Sequence, residues 1–105
     1  MKNNLYFGTC MIDGSGMGWV FGSRDDLHKQ IEINDSTILF ETNFVVHGSN
    51  YKDKKESARA LAIDIQGALS ESSVSWWEHS LITKKLYSIG KRFGLIKEFK
   101  ENAII

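Results

Sequence analysis

The sequence predicts an α+β domain, with an N-terminal antiparallel sheet of about four strands followed by two or three helices packed on one face. Three observations carry that prediction. Apolar residues recur at every second position up to about Asn50 and at intervals of three or four beyond it. Turn-forming residues separate the alternating runs of the first half, at Asp13-Gly14-Ser15-Gly16 and Asn34-Asp35-Ser36. Charge divides at the same point, with six acids (Asp13, Asp25, Asp26, Glu32, Asp35, Glu41) against three bases in residues 1–50, and ten bases against seven acids in residues 51–105. A run of strands followed by a run of helices favours segregated α+β packing.

The first strand is Leu5–Ile12. Leu5, Phe7, Thr9 and Met11 alternate with Tyr6, Gly8, Cys10 and Ile12, and both sets are largely apolar, so this strand belongs at the sheet centre, covered on both sides. Asp13–Gly16 turns the chain into Met17–Phe21, which closes a hairpin. His28–Ile33 alternates His28, Gln30 and Glu32 with apolar partners and reads as a third strand, linked by Asn34-Asp35-Ser36 to a long fourth strand, Thr37–His47. There Ile38, Phe40, Thr42, Phe44 and Val46 are expected on one face.

Beyond Asn50 the period changes. Asp53-Lys54-Lys55-Glu56 has capping-box spacing ahead of Ala58, Leu61, Ala62, Ile65 and Leu69, predicting a helix near 53–71. Ser75-Trp76-Trp77-Glu78 repeats that spacing ahead of Ile82, Leu86, Ile89 and Phe93, predicting a second helix to about Arg92. Gly94 suits a helix-ending left-handed position, and Leu95, Ile96 and Phe99 allow a short third helix. The expected core contains Phe7, Ile31, Phe40, Phe44, Leu61, Ile65, Leu69, Ile82, Leu86 and Ile89.

Composition narrows the class. A chain of 105 residues, 42% hydrophobic and 25% charged, is read as a single domain spanning 1–105 with a core large enough to need no metal or disulfide. No run approaches the ~18 apolar residues of a membrane span, and MKNNLYFGTC lacks the apolar stretch of a secretory signal. One cysteine, Cys10, rules out an internal disulfide, so the expected location is the cytoplasm. Zero formal net charge removes the broad positive field on which non-specific nucleic-acid binding relies.

No motif names a reaction. The glycine run at 14–18 lacks phosphate-loop spacing and leads into a strand, not a helix N-terminus that could face a phosphate. His28, His47 and His79 could supply acid–base chemistry, with Lys29 beside a reacting phosphate, yet their spacing does not force them together. Metal-binding spacing is missing, and a magnesium site from Asp13, Asp25 and Asp26 competes with an ordinary solvated loop or capped turn. Neither a catalytic residue nor a metal ligand is therefore assigned, and no cofactor is expected. Cys10 reads as a packed strand residue. Trp76 and Trp77 point ~100° apart on a helix, so at least one is expected in the core, and any exposed tryptophan there marks a binding surface.

In size and order of elements, the segments Leu5–Ile12, Trp19–Phe21, Ile31–Ile33 and Thr37–His47 followed by two capped helices resemble the small immunity proteins of bacterial contact-dependent and other polymorphic toxin systems. The resemblance covers the whole chain and is architectural, with no shared motif from which a residue could be carried over. It implies a non-enzymatic protein that binds a basic toxin domain, such as a nuclease, tightly at or beside its active site. On the residues alone, the partner contacts are expected on the acids Asp13, Asp25, Asp26, Glu32 and Glu41, because charge of one sign steers an oppositely charged partner, and on Trp76 and Trp77. Two alternatives stay open. One is a phage or mobile-element inhibitor of a host defence protein, and the other is a small ribonuclease using His28 or His47 with Lys29.

Overall fold

The computed structural model describes residues 5–105. Strand β1 (Tyr6–Ile12) pairs with β2 (Ser15–Phe21), helix α1 (Arg24–Ile33) leads to strand β3 (Ile38–Thr42), and helices α2 (Tyr51–Glu71), α3 (Trp76–Phe93) and α4 (Ile96–Glu101) complete the chain. The sheet is antiparallel in the order β2-β1-β3, with β1 at its centre as predicted. Asp13 and Gly14 form the two-residue hairpin turn, both at positive φ (49° and 81°), and place Ile12 opposite Ser15. The α+β class is therefore as the sequence predicts, but the described sheet has three strands rather than four.

The missing strand is α1. Its ten residues start at Ser23, whose side chain accepts a hydrogen bond from the Asp26 backbone N–H, and Asp25 and Asp26 lie in the first turn, where carboxylates complement the helix dipole. Leu27 and Ile31, four apart, are its buried residues, whereas Ile33 is 78% exposed. The apparent alternation of Ile31 and Ile33 was thus no strand signal.

α1 also changes the layering. Leu27 and Ile31 pack with Cys10 on one face of the sheet, flanked by Tyr6, Trp19, Phe21 and Ile38. Phe7, Val20 and Phe44 meet α2, α3 and α4 on the other face through Ala58, Ile65, Ile82, Leu86, Phe93 and Phe99. Helices therefore cover both faces rather than one. Gly8 makes the α1 layer possible, because a Cβ there would lie 2.6 Å from the Leu27 side chain. Of the expected core, Phe40, Leu61 and Leu69 are only partly buried, packed on the rim of the larger cluster.

β3 is shorter than expected and contains a bulge. Thr9 faces Phe40 and Cys10 faces Ile38, which leaves Leu39 as the extra residue. Because one extra residue reverses the alternation, Ile38 turns to the α1 face while Phe40 turns to the α2 face, so the two do not share a face. The strand ends at Thr42. The Thr42 hydroxyl accepts from the Phe44 N–H (3.1 Å), the Asn43 side chain accepts from the Val45 N–H (3.1 Å), and Phe44 adopts a left-handed φ of 61°. These local bonds replace the ladder and drop the Phe44 ring into the core.

The helix ends follow the sequence more closely. α2 starts two residues before the expected helix, capped by Asn50, whose side-chain oxygen accepts from the Asp53 N–H at 2.9 Å. Ser75 caps α3 as its spacing predicts, and Gly94 ends it at φ 68°. Arg59 of α2 makes a two-pronged ion pair with Glu98 of α4 (2.6 and 3.0 Å) and also pairs with Glu56. Substituting Leu27 by alanine should cost about 2–5 kcal/mol of unfolding free energy in urea titration, since the side chain is fully buried between α1 and Gly8. A loss below ~1 kcal/mol would contradict α1 as a packed layer.

Candidate functional site

α3 is fixed at its first turn from two directions. The Ser75 hydroxyl accepts from the Glu78 N–H and donates to one Glu78 carboxylate oxygen at 2.7 Å. The other oxygen accepts the backbone N–H of Val20 at 2.6 Å, so Glu78 reaches β2 instead of closing a capping box on its own helix. Glu78 thereby occupies the inward position one turn before Ile82, and its neighbours are turned outward. Trp76 is 84% exposed and Trp77 55% exposed, which corrects the expectation that at least one of them packs in the core. Further along α3, Tyr87 is 46% exposed and lines a shallow surface with Trp76, His79, Thr83 and Lys84.

The sequence-predicted acids do not share one place. Asp13 lies in the β1–β2 turn, while Asp25 and Asp26 start α1 at the opposite end of the sheet. Glu32 stands near the far end of α1, about 10 Å along the helix axis from Asp25 at 1.5 Å per residue. Glu41, on β3, is half-buried and already paired with α1, its Oε1 accepting from Arg24 Nε at 3.2 Å and lying 3.1 Å from His28 Nε2. The hydrogen bond with His28 holds the Glu41 carboxyl below its ordinary value against the opposing effect of partial burial, and Arg24 adds to the lowering.

Arg24 and Glu41 open into a cleft of about 440 Å³ that also presents Tyr6, His47 and Asp64. The structure thus brings His47 to the cleft that Glu41 lines, with His28 on the same carboxylate, while His79 lies apart on α3. Lys29 does not line this cleft; Arg24 is the cation there. Sequence reasoning missed Arg24 and Asp64. Arg24 had a signal in the Ser23 cap, which makes 24 and 28 neighbours one turn apart, whereas Asp64 joins only through the packing of α2. Among the described residues no three His, Cys, Asp or Glu side chains converge as a metal-ligating group, and Cys10 is buried. None of the described helices is long and apolar enough to cross a membrane.

Comparison with known proteins finds no matching family model, no matching curated protein and no matching solved structure.

The carboxylates give a pH prediction. Glu41 and Glu98 are both held below the ordinary value of 4.5, Glu98 first by its hydrogen bonds from Arg59. A carboxyl lowered in the folded state stabilises fully above the unfolded value, and that contribution disappears as pH falls through the folded value. Stability from urea unfolding should therefore be level near neutrality and fall below about pH 4.5, and the Glu41→Gln, Glu98→Gln double variant should show a shallower fall. An unchanged slope in that variant would place the acid sensitivity elsewhere.

Proposed function

We propose that this chain works by binding another protein, as an inhibitor of the kind that neutralises a bacterial toxin domain. The observation that carries this reading is the exposed pair Trp76 and Trp77 on a helix turn fixed by Ser75 and Glu78. A tryptophan covers about 150–250 Å² when buried, and rigidly placed aromatic side chains recur at the energetic centres of interfaces. Neither ring serves the core, so their apolar surface is available to a partner. The exposed acids Asp13, Asp25, Asp26 and Glu32 are scattered over the β1–β2 turn and the two ends of α1, so in this reading they steer a basic partner at a distance rather than ring the tryptophans. Glu41 contributes less, because Arg24 already pairs with it and His28 is hydrogen-bonded to the same oxygen.

The test starts from the protein that co-purifies with this chain from its native cell. Trp76→Ala with Trp77→Ala should leave the thermal midpoint nearly unchanged, since both rings are largely exposed, and should weaken that complex at least 100-fold. Retained affinity would remove α3 from the interface. Reversing Asp25 and Asp26 to lysine should slow association at low salt and reduce its salt dependence, and an unchanged rate would remove the acids from the interface.

One observation favours a second reading, a small ribonuclease. His28, Glu41 and Arg24 are joined by hydrogen bonds beside His47, a set able to move protons and hold a phosphate. A gel assay on bulk RNA separates the two readings: cleavage that disappears with His28→Ala supports the enzyme, and intact RNA supports the inhibitor.

A further inference from the structure

The two edges of the sheet are treated differently. Along β2 the chain closes its own edge: Gly18 N–H donates to the Ser73 carbonyl (3.0 Å), Ser73 N–H donates to the Gly16 carbonyl (2.9 Å), and Glu78 takes the Val20 N–H. Along β3 the outward N–H and carbonyl groups have no hydrogen-bond partner among the described residues. Nor does β3, with the sequence Ile-Leu-Phe-Glu-Thr, carry the lysine or proline that commonly blocks a free edge.

We propose that the groove between β3 and α2 receives an extended, basic segment of a partner protein as an added strand on β3. This site goes beyond the α3 surface and does not depend on it. Ala60, Asp64, Gly67 and Glu71, spaced by four, three and four, give α2 one stripe along the groove. The 440 Å³ cleft at one end and a 380 Å³ cleft at the other share Asp64, so they run on from one another. From Ala60 to Glu71 the stripe is about 16 Å long at 1.5 Å per residue, the span of about five extended residues. β3 has five residues.

The lining specifies the occupant. Met11, Leu39, Val45 and Ile63 are 48%, 60%, 48% and 56% exposed around the groove, a set of apolar contacts for alternate side chains of a strand. The charged residues lining the 380 Å³ cleft are Asp64 and Glu71, and neither has an ion-pair partner among the described residues. Alternate residues of an added strand share a face, so lysine or arginine matches these acids at positions of the same parity as the apolar side chains, all turned towards α2. A second copy of this chain fits less well, because its β3 would bring Glu41 and no base. The bulge tips Leu39 out of the ladder, so the added strand pairs along Phe40–Thr42 and lays an apolar side chain against Leu39 and Met11.

The test uses a ten-residue peptide, Val-Ser-Lys-Ser-Val-Ser-Lys-Ser-Val-Ser, whose valines and lysines share one face of an extended strand, titrated into the chain and into its Trp76→Ala, Trp77→Ala variant. Amide shifts and hydrogen-exchange protection at residues 39–43 are expected equally in both proteins, so the outcome does not depend on the α3 reading. Methylating the peptide nitrogens on one strand edge should weaken binding at least 10-fold in one of the two possible settings. Replacing its lysines by glutamate should abolish binding, as should Asp64→Lys with Glu71→Lys, two exposed positions that leave the core intact. Protection confined to α3, or affinity indifferent to both N-methylated peptides, overturns the proposal. Protection of 39–43 that grows with protein concentration without peptide overturns the occupant in favour of a second copy.

Discussion

Strand β1 is apolar on both faces, and the sheet therefore needs cover on each side. Phe7 and Cys10 are fully buried, pointing to opposite layers, and Thr9 is nearly so. At roughly 25 cal/mol per Å² of apolar surface, leaving either face of the central strand in water would cost several kcal/mol, a large share of the stability of a domain this size. α2, α3 and α4 cover one face; α1, short and mostly polar, covers the other with little more than Leu27 and Ile31. Close approach at Gly8 lets so small a helix suffice. Once α1 is seated there, Arg24 and His28 fall against Glu41, so the charged cluster beside the cleft follows from the packing of β1.

The second organising feature is the treatment of the sheet edges. Glu78 serves helix and sheet together, bonding to the Ser75 hydroxyl with one oxygen and to the Val20 N–H with the other. That contact and the Ser73 bridge leave β2 with few free edge groups. Glu78 continues the inward stripe of Ile82, Leu86, Ile89 and Phe93 by one turn, and Trp76 and Trp77 lie off that stripe at the surface. At β3 the Leu39 bulge and the left-handed Phe44 shorten the strand, and α2 stands beside the open edge as the wall of a groove. Both candidate surfaces arise where the chain stops serving its own core.

The acids of the first half lie on the sheet and α1, and the bases of the second half lie on α2, α3 and α4, with Lys91 and Arg92 in the last turn of α3, where they complement the helix dipole. Arg59 draws Glu56 and Glu98 together, tying α4 to α2. Helix α2 also presents the exposed acids Asp64 and Glu71, so charge is patterned locally and bears on how a partner approaches rather than on the fold.

The sequence by itself determined the class, the central position of β1, the Asp13-Gly14 turn, three of the helices and most of the buried stripe from Ile65 to Phe93. Those features rest on local periodicity, caps and turn chemistry, which act over a few residues. α1 was legible in principle, through the Ser23 cap and the Leu27 to Ile31 spacing, but two buried residues in ten give a weak helical signal beside the accidental alternation of Ile31 and Ile33. What only the tertiary structure decided are the features that need two distant segments at once. The bulge at Leu39 depends on register against Thr9 and Cys10, the seating of the α3 start depends on Glu78 finding Val20, and the groove depends on Asp64 and Glu71 of α2 standing beside β3. Pairing across tens of residues is set by which faces the whole chain must bury, and no short window of sequence contains that information.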